Sequence, residues 1–204
     1  MVATWSAESP ATYVLGAMLP DFASISGARS LDAREPDMSR GVALHHRTDE
    51  VFHGAPTFVA LMIEARAQFT AAGLPNGASR AAAHIGVELL LDGTLVGDSS
   101  LGAAYLDAIA ALREEHLTFA SPEHAGRFWS FHERVRGYGI PYGYDDPDFV
   151  AARIAGALAG RPRLALGTTP VSAVSMVLRA MTPQVAARAE QLFAEVRGGL
   201  RGDV

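Results

Sequence analysis

The chain has 204 residues, a formal net charge of −5, 49% apolar residues and no cysteine. That length and apolar content suit one folded domain with a sizeable core rather than a disordered chain, and the acidity argues against general nucleic-acid binding. The missing cysteine excludes disulfides and thiolate metal sites, so any metal must bind through His, Asp, Glu or water.

Alanine is abundant and β-branched runs are few, so the pattern reads as mostly helical. A first short helix is expected over Ala11–Met18, closed before Pro20 because the residue preceding proline disfavours the helical region. Residues 23–38, with Gly27 and Pro36, read as a loop. A second helix is expected over Met38–His53, broken by Gly54 and Pro56. A third covers Thr57–Ala72 and stops at Gly73-Leu-Pro75. A fourth covers Ala78–Leu91 and stops at Asp92-Gly93, and a fifth runs from Ser100 to Phe119. Ser121-Pro122 opens a sixth that reaches Arg136, with Ser at the cap and Pro at the first helical position. Gly137–Tyr144 is a Gly- and Tyr-rich loop, of a kind that either borders a site or merely connects. Asp145–Ala159 is a seventh helix with acids in its first turn. Residues from Pro170 to Arg197 form the last, with a break near Pro183. The expectation is an all-α, single-domain bundle of about seven to eight helices, with no repeat and no marked boundary. No apolar run approaches the roughly 20 residues of a membrane span. No basic-then-apolar leader opens the chain, so a cytoplasmic protein is expected.

The segment Gly41–Asp49 carries the densest chemistry. His45 and Asp49 stand four apart, with His53 four further on, and residues at i and i+4 share a helix face. His46 projects about 100° from His45 and is not expected to share its ion. Val42, Val51 and Phe52 imply partial burial. Hydrogen-bonded core histidines are the plain alternative, against which stands the cost of burying an ion pair. His84 and Glu88 repeat the spacing within Ala81–Asp92, on a surface that reads as core. A carboxylate there needs a cation, either a metal or an Arg; Asp92 serves equally as a helix-end turn residue. Histidine and carboxylate at i, i+3 or i+4 are how helical bundles build internal metal sites. Asp21, after Pro20, reads on its own as a cap or turn residue. The sixth helix mixes His124, Arg127, Phe128, Trp129, Phe131, His132 and Arg134. These are core aromatics with a solvated Arg face, or else His132 and Arg127 at a pocket mouth.

Taken in order, three segments resemble the acyl carrier protein phosphodiesterase family, a divergent all-α relative of the HD-domain phosphohydrolases. They are Gly16-x-x-Leu-x-Asp21-Phe22, then Gly41-Val-x-x-His45-x-Arg47-x-Asp49, then the helix with His84 and Glu88 four apart. Gly156–Leu164 adds the family's Arg-Pro-Arg-Leu segment. The resemblance implies an HD-like helical fold, a divalent metal (manganese first; iron, zinc or magnesium otherwise), and hydrolysis of the phosphodiester that joins 4′-phosphopantetheine to a serine of acyl carrier protein. It implies Asp21, His45, Asp49, His84 and Glu88 as metal ligands. His46, His53, Asp92 and His132 would be further ligands or substrate contacts. Arg47 and Arg161 would stabilise phosphoryl charge. His84 and Glu88 stand where the family has Asp, as does His53, and residues 1–20 hold no His to match the family's N-terminal one. A ligand set so rich in His shifts preference toward iron or zinc.

All 17 basic residues are Arg. Residues 1–120 hold 7 Arg and 14 acids, whereas residues 121–204 hold 10 Arg and 8 acids, balances of −7 and +2. Coding bias explains an all-Arg set; so does phosphate binding, which the planar guanidinium suits. An acidic carrier protein would dock on the Arg-richer half, at Arg134, Arg136, Arg153, Arg161 and Arg163. No membrane or nucleic-acid partner is expected, and a homo-oligomer is compatible with the sequence. Two other readings stay open: a metal-dependent phosphohydrolase of a nucleotide or small phosphoester, and a non-catalytic helical binding module.

Overall fold

The helical periodicity is realised almost throughout the computed structural model, which describes residues 9–28 and 31–202. Eight α-helices are described: α1 (Ala11–Ser26), α2 (Pro36–Gly54), α3 (Pro56–Ala71), α4 (Asn76–Gly93), α5 (Ser99–Ala111), α6 (Pro122–Tyr138), α7 (Pro147–Ala159) and α8 (Val171–Gly202). The strands β1 (Leu31–Ala33) and β2 (Leu117–Phe119) pair antiparallel, with Asp32 opposite Thr118. The chain is therefore all-α. Contacts divide it into two compact units: Met1–Asp49 with Gly97–Pro141, and Glu50–Val96 with Tyr142–Val204. None of the described helices is long and apolar enough to cross a membrane.

In the first unit, α1 buries Val14, Leu15, Leu19 and Phe22 against Met38, Ile109, Leu117 and Phe128. This stripe continues past Pro20, so α1 does not stop where the sequence suggested. Burial on both sides of the proline outweighs the backbone bond it removes. The stop is Gly27, at φ 75°, where the N–H groups of Gly27 and Ala28 close on the carbonyls of Ser24 and Ala23. The expected 23–38 loop thus contains the last turn of α1, and β1 as well. The helix expected to reach Phe119 ends at Ala111; a 3₁₀ turn, Glu114–His116, then leads into β2. Leu117 is buried there, and the strand closes its hydrogen bonds on β1. Ser121 caps α6 as expected, its hydroxyl accepting from the His124 N–H.

In the second unit, α3, α4, α7 and α8 bury Phe58, Leu61, Phe69, Val87, Leu91, Ile154, Leu178 and Leu192. Gly86 allows the close packing of α4: a Cβ there would stand 2.9 Å from the Leu178 side chain. Helix α8 runs unbroken through Pro183. That residue is exposed, while Leu178, Met181, Val185, Leu192 and Val196 keep one buried face. The expected Gly- and Tyr-rich loop is partly helical: α6 extends to Tyr138, and Tyr142–Asp145 is a 3₁₀ turn.

Candidate metal centre

His53 lies in the last turn of α2, beyond which Gly54 and Pro56 end the helix. His84 and Glu88 lie one turn apart on α4, beside the buried row Ala82, Ala83, Gly86, Val87 and Leu90. All three residues belong to the second unit. Their side chains are 32%, 42% and 35% exposed, so they edge the core rather than fill it. His53 Nε2 stands 3.3 Å from His84 Nε2 and 3.5 Å from Glu88 Oε1. His84 Nε2 stands 3.1 Å from the same oxygen. Among the described residues, these are the ligand atoms that gather within 4.8 Å of one another.

Two buried phenylalanines back the cluster. Phe58 packs at right angles to both imidazoles, at centroid distances of 5.2 Å from His53 and 5.9 Å from His84. Phe52 packs on Phe58 at 4.3 Å and on His53 at 5.3 Å. The inner side of the cluster is thus apolar and the outer side is wet.

The three residues fit a divalent ion in type, number and spacing. Ligand atoms about 2.0–2.1 Å from a tetrahedral ion stand about 3.3 Å apart, close to the three separations of 3.1, 3.3 and 3.5 Å. The two imidazoles are nearly parallel, with 13° between planes. Each ring must tilt for both lone pairs to meet one ion, which half-exposed side chains can do.

The other expected residues are distributed as follows. Asp21, His45, His46, Arg47, Asp49 and His132 belong to the first unit. Asp21, Arg47 and Asp49 are exposed. His45 Nδ1 lies 2.9 Å from the Ala17 carbonyl. A carbonyl only accepts, so Nδ1 carries the proton of this bond. His46 is exposed and borders a cavity of about 480 Å³ lined also by Leu19, Pro20, Leu31, Asp32 and Val42. His132 is buried and donates from Nε2 to the Ile109 carbonyl at 3.0 Å, with Trp129 edge-on to its ring, so it is a core residue of α6. In the second unit, Arg161 is exposed just after α7, and Asp92 is half-buried one turn beyond Glu88.

The chain matches no family model, no curated protein and no solved structure. The chemistry of the cluster therefore rests on its own donors. Two imidazoles and one carboxylate, walled on one side and open on the other, can hold an ion and leave it a solvent position. One further residue belongs to this face. Arg80 precedes His84 by one turn of α4, is exposed, and has no ion-pair or hydrogen-bond partner among the described residues. The repeat Arg80-x-x-x-His84-x-x-x-Glu88 is the sequence signal that points to it, and it was not among the expected cations.

Proposed function

We propose that the protein is a metal-dependent phosphodiester hydrolase whose ion is held by His53, His84 and Glu88. The observation that carries this reading is the convergence of three ligand atoms, from α2 and α4, within 4.8 Å. A divalent ion held there would acidify a bound water and polarise a phosphoryl oxygen. The protein's own part is to orient that ion and keep one side of it dry, through Phe52 and Phe58. Arg80 supplies a positive charge for an anionic substrate on the wet side.

The phosphodiester, and 4′-phosphopantetheine on an acyl carrier protein in particular, is supported by the ordered resemblance at Gly16–Phe22, Gly41–Asp49 and Arg161–Leu164. Arg47 and Arg161 are the cations that this resemblance brings. An assay of the metal-loaded protein on holo-acyl carrier protein and on bis(p-nitrophenyl) phosphate tests the reading. Release of phosphopantetheine, lost in His84→Ala, is the expected result. Turnover of the small diester alone would move the substrate to a nucleotide or other phosphoester. A protein that holds stoichiometric metal and hydrolyses neither would overturn the proposal.

A further inference from the structure

We infer that the centre selects one nitrogen-preferring transition-metal ion of the zinc and cobalt class, bound four-coordinate by His53, His84, Glu88 and a single solvent molecule. This deepens the reading of the cluster as a metal centre and does not depend on the phosphodiester. Three observations lead there.

The first is donor type. Two of the three ligand atoms are imidazole nitrogens, which suit zinc, cobalt, copper and iron, whereas magnesium and manganese favour oxygen. The second is spacing. The three separations, 3.1 to 3.5 Å, straddle the roughly 3.3 Å that a tetrahedral ion sets between its ligands and exceed the roughly 2.9 Å of an octahedral magnesium ion. The third is the wall. Phe58 packs at right angles to both imidazoles and offers no polar atom, so it adds no ligand to the shell. Only the solvent side remains for the fourth ligand. The manganese expected from the family resemblance is therefore not the ion this donor set favours.

Cobalt substitution of the full-length protein reads out coordination number without any activity measurement. The expected result is one equivalent of cobalt with the intense visible absorption of a four-coordinate ion. Zinc should displace it at equal concentration, and a tenfold excess of manganese should not. His53→Ala, His84→Ala and Glu88→Ala should each lose the absorption while keeping the far-ultraviolet helical signal. Should an alanine variant fail to fold, Glu88→Gln keeps the side-chain shape and serves in its place. His45→Ala should keep the spectrum, because four positions are already filled. A weak octahedral spectrum, displacement by equimolar manganese, retention of the band in His84→Ala, or its loss in a folded His45→Ala would each overturn the inference. A four-coordinate spectrum in a protein without phosphodiesterase activity would sink the proposed reaction and leave the metal assignment standing. Octahedral manganese with full turnover would do the reverse.

Discussion

Glu195 shows how much one side chain can settle. Helix α3 begins at Ala55-Pro56 with no capping side chain of its own. The carboxylate of Glu195, on α8, takes the place of that cap, accepting from the Thr57 N–H at 2.9 Å and the Thr57 hydroxyl at 2.6 Å. Burial pushes its pKa up, but the hydrogen bonds from Thr57 and Gln191 outweigh burial and hold it below the ordinary Glu value. A carboxylate whose folded pKa is lowered stabilises the fold above its unfolded pKa and loses that effect as pH falls through the folded one. Glu195→Ala should therefore cost about 1 kcal/mol at neutral pH, with Glu195→Gln costing less. The difference from the parent protein should shrink below about pH 4. Urea unfolding at both pH values checks this, and an Ala variant whose deficit is the same in acid would contradict it. Arg80 yields a second test. Arg80→Ala should raise KM for an anionic substrate roughly tenfold, with a smaller change in kcat; metal content should not change. Of the residues at the centre, the His84–Glu88 pair was readable from its spacing. His53 was readable only as an accessory, because nothing in the sequence shows that the end of α2 meets α4.

Helix boundaries were readable where the stop was chemical and unreadable where packing overrode it. Gly54-Ala-Pro56 and Gly73-Leu-Pro75 end α2 and α3 within a residue or two of expectation. Pro20 and Pro183 did not stop their helices, because each interrupts backbone bonding within an otherwise continuous buried stripe. Strand β2 was unreadable for another reason: Leu117–Phe119 is a strand only beside Leu31–Ala33, a partner far away in the chain. The glycines of the resemblance have a packing role. A Cβ on Gly16 would overlap the backbone of Met38 on α2, and one on Gly41 would overlap Tyr13 and Ala17 on α1. His45 ties the same two helices through Ala17. Either Gly→Ala change should destabilise the protein by about 1–3 kcal/mol, as overpacking does. Gly126, inside α6 with nothing within 4 Å of an added Cβ, is the control. Gly126→Ala should stabilise by about 0.5–1 kcal/mol. Thermal unfolding of the three variants decides the matter, and equal shifts in all of them would refute the close crossing.

Neither compact unit is continuous in sequence, since the chain passes from one to the other at residues 49–50, 96–97 and 141–142. The first passage falls inside α2, where no change of composition marks it. This layout gives the proposed metal centre a signature beyond its own ligands. His53, His84 and Glu88 all belong to the second unit, whereas His45 and His46, at the middle of α2, belong to the first. An ion that binds only the native cluster adds RT ln(1 + [L]/Kd) to stability, about 2.7 kcal/mol at a hundredfold excess over Kd. For amides that exchange by opening of the centre, that is about a hundredfold slower exchange. Hydrogen exchange with and without zinc should therefore show slowing over residues 50–56 and 80–92. Amides of α1, α5 and α6 should change little, and His84→Ala should abolish the effect. Slowing confined to α1 and to α2 up to Asp49 would place the ion with Asp21, His45 and Asp49 instead, and the assignment to His53, His84 and Glu88 would fall.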